Sequence, residues 1–384
     1  MSGLRIVILG LSITSSWGNG HATTYRGLVK EFRRLGHSVT FLERDVPWYA
    51  AHRDTLTPSM GKVFLYDGLD DLQARFFALI KDADAVLLGS FVPQGSQVLR
   101  WLLDAARGPV AFYDIDTPVT VAKLYRGEED YLAADLLPHL DLYLSFTGGP
   151  TLERICRDFG VRRTEPLYCA VDPDVHRPAS LEPLWDLGYL GTYSADRQPK
   201  IQHLLNEPAR RLPRRRFVVA GPQYPSSVTW PANVRRIEHM PPFRHPAFYG
   251  AQRFTLNVTR AEMTTAGWSP SVRLFEAAAC GVPIISDDWP GLDAFFNPGS
   301  EILIVGDSEG VVSAITELPE EQRRGIGEAA RRRVLAYHPA ACRSKELEAH
   351  LLRICQPARN PRSPAPPATN LGKLRRNAPR AEGA

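Results

Sequence analysis

Short apolar runs alternate with amphipathic segments through the first half of the chain. Leu4 to Gly10 is a continuous apolar run, and a glycine-rich loop leads from it into a helical pattern from about Gly20 to Leu35. A short apolar run of this kind is typical of a parallel strand buried on both faces, and the helix after it completes a βα unit. The other predicted strands are Ser38–Glu43, Val63–Tyr66, Ala85–Gly89, Val110–Ile115, Leu142–Phe146 and Pro166–Val171, and the predicted helices between them are Asp71–Ala83, Ser96–Ala106 and Pro150–Phe159.

The same alternation begins again after a polar, proline-containing stretch. We therefore predict an N-terminal domain over 1–172, a linker over 173–183 and a C-terminal domain over 184–338, followed by a helix over 339–356 that could brace the first domain. Buried strands alternating with helices predict an α/β fold of two doubly wound, Rossmann-like domains. The strands predicted in the second domain are Leu187–Leu190, Arg216–Ala220, Val234–Glu238, Phe254–Val258, Pro283–Ser286 and Ile302–Val305.

Composition agrees with two domains. The chain has 384 residues, too many for one ordinary core, and its hydrophobic content of 44% can supply two. We expect a cytoplasmic protein without stable membrane insertion, because no apolar run approaches the roughly 20 residues of a membrane span and the first residues do not resemble a signal peptide. The five cysteines show no ligand spacing and are interpreted as small buried residues.

The formal net charge of +4 is concentrated at one end. Residues 357–384 contain six basic residues, one acidic residue and six prolines, so this tail carries +5 and leaves −1 for the rest. With almost no large apolar residues, the tail is predicted to be disordered. The alternative is a tether to nucleic acid or anionic lipid, but we favour a solvated extension and expect no nucleic-acid partner.

The most informative motif runs from Gly267 to Asp287. Ser269 followed by Pro270 is typical of a helix start, and the free N–H groups of the first turn attract an anion. Ser271, Val272 and Arg273 would form that turn. Glu276, about two turns in and near the same side of the helix, could accept both hydroxyls of a ribose. Phosphate and ribose together describe a nucleotide.

Loops after neighbouring strands of the second domain offer further contacts to such a ligand. Arg197, at the end of the loop that begins at Gly191, or Lys200 could neutralise a diphosphate, although solvated surface cations are commoner. Arg260 and Glu262 follow the strand before the motif and would lie beside the same phosphates and sugar. The ring of Tyr224 could flank a base. We predict no obligatory metal ion, because the sequence has no acid-rich metal cluster.

In the first domain, the loop after the first strand places His21 at the mouth of the expected cleft. Gly18 and Gly20 let a backbone approach a substrate closely. A helix N-terminus disfavours an imidazolium, so His21 would be neutral and able to act as a general base. The alternative role of His21 is capping or packing.

Two acids end a buried strand at the same sheet edge. Alternation places Asp114 and Asp116 on one side, where one could be a base or could orient His21; the alternative is an Asp that caps a turn. Thr147 and Gly148 lie in a second strand-to-helix turn, which fits backbone contacts with an acceptor and equally fits plain helix initiation.

A dinucleotide site is a rival interpretation of the first loop. Gly18-Asn19-Gly20 resembles the start of a GxGxxG fingerprint, and Glu43 stands where such domains keep an acid for the ribose. Thr23 occupies the third glycine position, however, and the loop is some seven residues longer than the tight turn of that fingerprint.

The arrangement resembles a GT-B glycosyltransferase, and four blocks are similar to its CgeB-like branch, which is named for a spore maturation protein. The resemblance implies transfer of a sugar from a nucleotide donor held by the C-terminal domain to an acceptor on the N-terminal domain, with the nucleotide sugar as co-substrate and no other cofactor. The blocks are 113–120, 145–150, 269–281 and 284–292.

Carried over by position, Glu276 matches the ribose-binding glutamate, and Ser271 and Val272 match the phosphate-facing turn. The loop ending in His21 also resembles the glycine-rich loop of MurG-type transferases. Retaining GT-B enzymes often carry a second glutamate eight positions before the ribose-binding one, and here that position is Trp268. An inverting, metal-independent displacement is therefore expected, with His21 or Asp116 as the base.

Two other functions use the same architecture. A nucleotide-sugar epimerase needs no acceptor, and a non-catalytic protein of a surface or coat assembly would keep only the fold. The carboxylate of Glu276 argues against the second, because a scaffold does not need it. The sugar, the base, the acceptor and the oligomeric state depend on pocket and surface shape and are not predicted.

Overall fold

The first domain is built on a parallel sheet of seven strands, in the order β3-β2-β1-β4-β5-β6-β7. The structure is a computed structural model that describes residues 3–54 and 61–355, so the predicted tail at 357–384 lies outside the described residues. The strands are β1 (Arg5–Gly10), β2 (Ser38–Arg44), β3 (Lys62–Tyr66), β4 (Ala85–Gly89), β5 (Val110–Asp114), β6 (Leu142–Ser145) and β7 (Thr164–Pro166).

Helices cover both faces of this sheet. Along β1, Ile6 and Ile8 belong to the apolar cluster on one face, and Val7 and Leu9 belong to the cluster on the other. Burial on both sides explains why the strand is a continuous apolar run. The helices of this part of the chain are α1 (His21–Arg34), α2 (Pro47–Ala50), α3 (Leu69–Lys81), α4 (Gly95–Ala105), α5 (Thr117–Arg126) and α6 (Pro150–Phe159).

The second domain repeats the plan with six parallel strands in the order β10-β9-β8-β11-β12-β13. They are β8 (Trp185–Leu190), β9 (Phe217–Ala220), β10 (Val234–Ile237), β11 (Gln252–Asn257), β12 (Ile284–Ser286) and β13 (Leu303–Ile304). The helices that follow β8 in the chain are α7 (Gln198–Ile201), α8 (Glu207–Arg211), α9 (His245–Gly250), α10 (Ala261–Ala266), α11 (Val272–Ala279), α12 (Ser308–Thr316), α13 (Glu320–Tyr337) and α14 (Ala340–Cys355).

Two parallel-sheet, Rossmann-like domains confirm the predicted α/β fold. In each sheet the strand order reverses direction once, between β1 and β4 and between β8 and β11. Loops that leave the carboxyl ends of strands on either side of such a reversal splay apart and form a crevice. No helix of the described residues is long and apolar enough to cross a membrane.

The predicted strand over Pro166–Val171 is wrong in its bounds. The paired residues are Thr164–Pro166, and the chain then leaves the sheet toward the second domain. There the Cys169 thiol donates to the Pro270 carbonyl, at 3.3 Å. The apolar residues that suggested a strand are buried by this crossing.

The chain crosses between the domains twice, and the two crossings contact each other. Val171, on the way out, bridges Pro339, on the way back; the Val171 N–H donates to the His338 carbonyl at 3.1 Å, and the Ala340 N–H donates to the Val171 carbonyl at 2.8 Å. The returning helix, α14, packs on α1 of the first domain. The Ser344 hydroxyl there donates to the carbonyl of Leu28, at 3.3 Å.

Candidate active site

A cleft of about 560 Å³ lies between the carboxyl ends of the two sheets. The loop after β1 and the residue Phe91 after β4 line it from the first domain, and the loops after β8 and β11 line it from the second. These are the loops at the two strand-order reversals. The cleft is therefore at the position where open α/β folds bind ligands.

The donor-site motif enters this cleft as predicted, but its helix starts later. Helix α11 begins at Val272 with Ser271 as its N-cap residue, two positions beyond the predicted start at Pro270. The reason is tertiary: the Ser269 hydroxyl lies 2.8 Å from the Thr147 hydroxyl, and the Pro270 carbonyl accepts from Cys169, so this segment is held extended against the first domain. Ser271 occupies the N-cap position, but its side chain does not accept from a helix N–H, because its hydroxyl donates to the side chain of Asn257 at 3.0 Å.

The first turn of α11 therefore has no side-chain acceptor at its N-cap. The first N–H groups of a helix have no partner inside the helix, and its dipole makes this end positive. Ser271, Val272 and Arg273 all line the cleft. This turn can receive an anion such as a phosphate.

Glu276 lies one turn behind, in the cleft wall, with 5% of its surface exposed. The Tyr249 hydroxyl donates to its Oε2 at 3.4 Å. His176 Nε2 is 3.4 Å from Oε1, and His245 Nδ1 is 3.3 Å from Oε2. Burial by itself would raise the pKa of Glu276, but the attraction of the two histidines and of Arg273 outweighs it and lowers the pKa to about 2. The carboxylate is ionised and can accept hydrogen bonds.

The predicted cations of the second domain differ in how many of their N–H donors already have hydrogen-bond partners. Arg273 uses its guanidinium on the Leu190 carbonyl and, at 3.0 Å, on the side chain of Asn257, so it braces β8 against α11. Arg197 donates one N–H to the Thr192 carbonyl at 2.6 Å. The Nε atoms of Arg197 and Arg260 are buried without a hydrogen-bond partner.

Arg197 and Arg260 therefore each retain a buried Nε–H donor for a ligand. Burial lowers the pKa of Arg197, and the positive charges of Arg273 and Arg260 lower it further. Arg260 Nε lies 3.8 Å from a carboxylate oxygen of Asp196 and 4.0 Å from one of Glu262, so its charge is partly compensated. Bringing an anion between such close cations would relieve their repulsion.

Three other predicted donor residues are placed around this wall. Gly191 lines the cleft, and a Cβ atom there would come within 2.7 Å of Arg273 Nη2, so the position has no room for a side chain. Tyr224 is not a lining residue; its hydroxyl donates to the Gly191 carbonyl at 3.2 Å, and Tyr193 lines the cleft next to it. Glu262 also lies outside the lining residues, on α10.

On the opposite wall, His21 and Asp116 form a pair. His21 is the first residue of α1, and its Nε2 lies 2.9 Å from Asp116 Oδ2. The side chain of His21 is 6% exposed and that of Asp116 is 22% exposed, and both line the cleft. Because a carboxylate only accepts, Nε2 carries a hydrogen; in the neutral ring Nδ1 then keeps the lone pair, and Nδ1 is buried without a hydrogen-bond partner. Gly18 and Gly20 line the cleft beside them.

Simple alternation predicts that Asp114 and Asp116 lie on the same side, and the structure shows that this prediction is wrong. Strand β5 ends at Asp114 and α5 begins at Thr117, so the chain turns between the two acids. Asp114 is fully buried, accepts from the hydroxyls of Tyr143 and Thr120, and accepts from the Asp116 N–H at 3.2 Å. Burial raises its pKa to about 6. It supports the turn that carries Asp116.

The second strand-to-helix turn of the first domain joins the two domains. Thr147 contacts Ser269, and the Gly148 N–H donates to the Trp268 carbonyl at 3.0 Å. Neither Thr147 nor Gly148 lines the cleft, so an acceptor contact is not their role in this structure. Trp268 has a φ of 44°, and Cβ atoms at Gly149 and Gly291 would come within 2.7 and 2.6 Å of its ring.

Glu43 has a structural role in the first loop. Its carboxylate accepts from the N–H groups of Ile13 and Thr14, at 2.6 and 3.0 Å, and from the hydroxyls of Ser12 and Thr14. These bonds shape the loop and bury the acid completely. Glu43 is not free to accept from a ribose, which removes the main support for a dinucleotide site.

The residues that sequence reasoning missed are those around Glu276. His176 comes from the stretch predicted as a linker, and His245 and Tyr249 come from α9. No spacing relates these segments to α11, so a single sequence gives no signal that they meet. The fold brings them together because α9 packs against α11.

Known proteins share this architecture. Residues 197–349 match the family model of glycosyl transferase-like proteins. No curated protein matches the chain. Among solved structures, sucrose-phosphate synthase from Thermosynechococcus elongatus is 14% identical with a TM-score of 0.67, and the match covers 91% of this chain and 99% of that one.

Two similar structures contain a nucleotide sugar. Anabaena HepE in complex with UDP-glucose is 12% identical, with a TM-score of 0.69 over 91% of this chain and 100% of that one. An alpha-glucosyltransferase in complex with UDP-glucose and DNA containing an abasic site is 12% identical, with a TM-score of 0.70 and the same coverage. These likenesses establish the fold: two facing Rossmann-like domains in the arrangement of GT-B glycosyltransferases.

Proposed function

We propose that this protein is a glycosyltransferase that moves a sugar from a nucleoside diphosphate sugar to an acceptor hydroxyl. The observation that carries the proposal is the buried, ionised carboxylate of Glu276, one turn behind the N-terminal turn of α11 in the cleft wall. The carboxylate would accept from the ribose hydroxyls, and the helix N–H groups would receive the diphosphate. The glycosyl transferase-like match over 197–349 spans both features.

In the proposed reaction the acceptor oxygen forms a bond to the anomeric carbon while the bond from that carbon to the diphosphate oxygen breaks. The diphosphate leaves with the electron pair. Its growing negative charge would be stabilised by the first turn of α11 and by the Nε–H donors of Arg197 and Arg260, which have no hydrogen-bond partner. These are fixed groups, so they need little rearrangement during the reaction.

The proton of the acceptor hydroxyl goes to the first domain. We assign it to the His21–Asp116 pair, with Nδ1 of His21 as the first candidate atom: Nδ1 is buried without a partner while Nε2 is held by Asp116, so the acceptor or the ring must shift for the two to meet. Asp116 would then orient the ring and stabilise the imidazolium that forms. Asp116 is the second candidate base, because its side chain is the more exposed of the two.

We propose that the transfer inverts the anomeric centre and needs no metal ion. A single displacement requires one base on the acceptor side, and the His21–Asp116 pair supplies it. The position at which retaining relatives carry a second glutamate is Trp268, which is used in the contact between the domains. The two arginines and the α11 turn supply the positive potential that a metal ion would otherwise give the diphosphate.

Narrower features of the proposal rest on the similar proteins and on the motifs. UDP-glucose accompanies two of the similar structures, and we propose a nucleoside diphosphate hexose as the donor here. The blocks at 269–281 and 284–292 support a place in the CgeB-like branch. The five free cysteines support a reducing compartment such as the cytoplasm.

Glu276→Gln tests the donor site. The amide cannot accept from both ribose hydroxyls as an ionised carboxylate does, and hydrogen bonds to charged groups contribute about 1.5–3 kcal/mol each. We expect the affinity for UDP and for UDP-glucose, measured by calorimetry, to fall on the order of 100-fold. Glu207→Gln, an exposed acid on α8, is the control and should bind as the unaltered protein does.

Unchanged UDP affinity in Glu276→Gln would refute the donor-site assignment. Product analysis separates transfer from epimerisation: a transferase converts its donor to UDP and leaves the sugar on an acceptor or on water. An epimerase would yield a new nucleotide sugar with no acceptor present.

A further inference from the structure

Two histidines converge on the carboxylate of Glu276 from different parts of the chain. One ring nitrogen of His176, one of His245 and a carboxylate oxygen of Glu276 all lie within 4.8 Å of one another. His176 is 1% exposed. A polar cluster this deeply buried must satisfy its charges and lone pairs internally or through a bound ion.

The hydrogen bonds of His245 determine which of its atoms faces the carboxylate. Its Nε2 lies 3.2 Å from the Met240 carbonyl, and because a carbonyl only accepts, Nε2 carries a hydrogen. In the neutral ring, Nδ1 then presents a lone pair toward Glu276 Oε2, at 3.3 Å. A histidine that donates its far N–H to a backbone carbonyl and aims its other nitrogen at a second ligand has the usual arrangement of a metal-bound imidazole.

The ring of His176 has fewer hydrogen bonds than that of His245. Neither ring nitrogen makes a hydrogen bond, although Nε2 lies 3.4 Å from Glu276 Oε1. In the neutral ring, one of these two nitrogens carries a lone pair. Glu276 therefore faces histidine nitrogens that have no hydrogen-bond partner, and a cation between them would satisfy all three side chains.

We propose that His176, His245 and Glu276 form a binding site for a transition-metal ion, with Zn²⁺ as the best fit. A tetrahedral zinc ion about 2.0–2.1 Å from each ligand holds neighbouring ligand atoms about 3.3–3.4 Å apart. The two histidine-to-carboxylate distances, 3.4 Å to Oε1 and 3.3 Å to Oε2, are of this size but end on different oxygens, so the ligand atoms would have to close in from separations of up to 4.8 Å to hold one ion. Two imidazoles and one carboxylate suit zinc better than Mg²⁺ or Ca²⁺, which prefer oxygen ligands.

The fourth coordination position would open toward the cleft. Glu276 and His245 line the cleft, whereas His176 closes the site from behind. An ion could therefore enter from the cleft and take a water molecule or a ligand atom as its fourth partner. Three protein ligands with one open position are the arrangement of exchangeable zinc sites rather than of closed structural ones.

Zinc and the donor would compete for Glu276, a consequence that rests on the proposed function. The ion would occupy the carboxylate oxygens that are assigned to the ribose hydroxyls. Zinc would then act as a reversible inhibitor of a transferase whose chemistry needs no metal. Binding of the ion itself does not depend on the identity of the donor.

The first experiment measures Zn²⁺ binding to the chelator-treated full chain by calorimetry. We expect one ion per chain with a dissociation constant of about 1 μM or lower. His176→Gln and His245→Gln should each weaken binding by more than about 10-fold. The matched control is His203→Gln, which removes the exposed histidine that pairs with Glu207 at 2.8 Å and should leave zinc binding unchanged. Zinc affinity that is unaffected by both buried substitutions would overturn the site.

A second measurement uses the unaltered protein, in case the buried substitutions prevent folding. One equivalent of Co²⁺ should give the strong visible absorption of a four- or five-coordinate ion, and Zn²⁺ should abolish it by displacement. A spectrum equal to that of Co²⁺ in buffer would overturn the proposal.

Titration with UDP separates this proposal from the proposed function. Zn²⁺ should weaken UDP binding to the unaltered protein by more than it does in His176→Gln, where only chelation of free UDP remains. Zinc binding without UDP binding would refute the donor site and keep the metal site. UDP binding without zinc binding would do the reverse.

Discussion

The two walls of the cleft differ in how they are built. The wall from the second domain carries three arginines and a buried carboxylate. The wall from the first domain carries the His21–Asp116 pair among glycines, Phe91 and other uncharged residues, and no Lys or Arg of the described part of this domain lines the cleft. A diphosphate requires fixed positive potential, whereas a hydroxyl requires a base and a fitting surface. If the two walls have the proposed functions, the chemistry of the donor restricts the residue types of its wall more narrowly than an acceptor does.

Replacing His21 by Ala tests this division with the largest expected effect. The rate should fall by about 10² to 10⁴, the usual contribution of a general base, because no other group at that position accepts the proton. UDP affinity should change less than about threefold, since His21 lies on the opposite wall. Steady-state rates and calorimetry measure the two quantities, and His203→Ala is the control.

Asp116→Asn sharpens the result by leaving the ring in place without its charged partner. If His21 is the base, the rate falls by less than in His21→Ala. A greater loss in Asp116→Asn would make Asp116 the base. An equal loss of UDP affinity and rate in His21→Ala would contradict the division between the walls.

A buried acid lies behind the wall of the first domain and another lies in the wall of the second, and the pKa values of the two are shifted in opposite directions. Asp114 has a pKa of about 6, whereas Glu276 has a pKa of about 2. The folded protein therefore holds the Asp114 proton more tightly than the unfolded chain, whose aspartates titrate near 3.8. As the pH rises from about 4 to 6, ionisation of Asp114 should cost the folded state about 3 kcal/mol, and the cost stays constant above that range.

Thermal unfolding of the unaltered protein and of Asp114→Asn from pH 4 to 8 measures this cost. The difference in melting temperature between the two should shift against the unaltered protein between pH 4 and 6 and then level off. A difference in melting temperature that does not change with pH would show that Asp114 does not have the raised pKa described above.

Substitutions at the contact between Gly291 and Trp268 should have a smaller effect, on stability, and Gly299 offers a matched control. Gly291 and Gly299 both have positive φ, 84° and 78°, but a Cβ at Gly291 would come within 2.6 Å of the Trp268 ring, and one at Gly299 would meet nothing within 4 Å. Both alanine variants share a backbone cost of about 1–2 kcal/mol. Gly291→Ala should lose about 1–3 kcal/mol more, because the ring is displaced. Equal melting temperatures of the Gly291→Ala and Gly299→Ala variants would mean that packing of the Trp268 ring against Gly291 does not contribute to stability.

The same division governs how much could be predicted from the sequence. The proposed donor motif is contiguous: Ser271 to Glu276 form the N-cap and first turns of one helix, so strand and helix signals suffice to place its first turn and the carboxylate together. For His21 and Asp116 the sequence predicts a pair only as one alternative, because the two residues are 95 positions apart.

Other parts of the site depend on contacts that local patterns do not encode. Thr147 and Gly148 stand at a sheet edge, as predicted, but the second domain covers them. Tyr224 follows β9, as predicted, but its hydroxyl donates to the Gly191 carbonyl. His176 lies in a segment without periodicity, and only the packed fold shows that it lies beside Glu276.

The contact between Val171 and Pro339 has a mechanical consequence. Because the outgoing and returning segments are hydrogen-bonded to each other, the two chain crossings between the domains meet at one point. Rotation about that point that widens the cleft would also have to break the contacts of Thr147 with Ser269 and of Gly148 with Trp268, while sliding of one domain past the other is resisted by α14, which packs on α1. The chain that builds the two walls thus also sets the path along which they can approach each other.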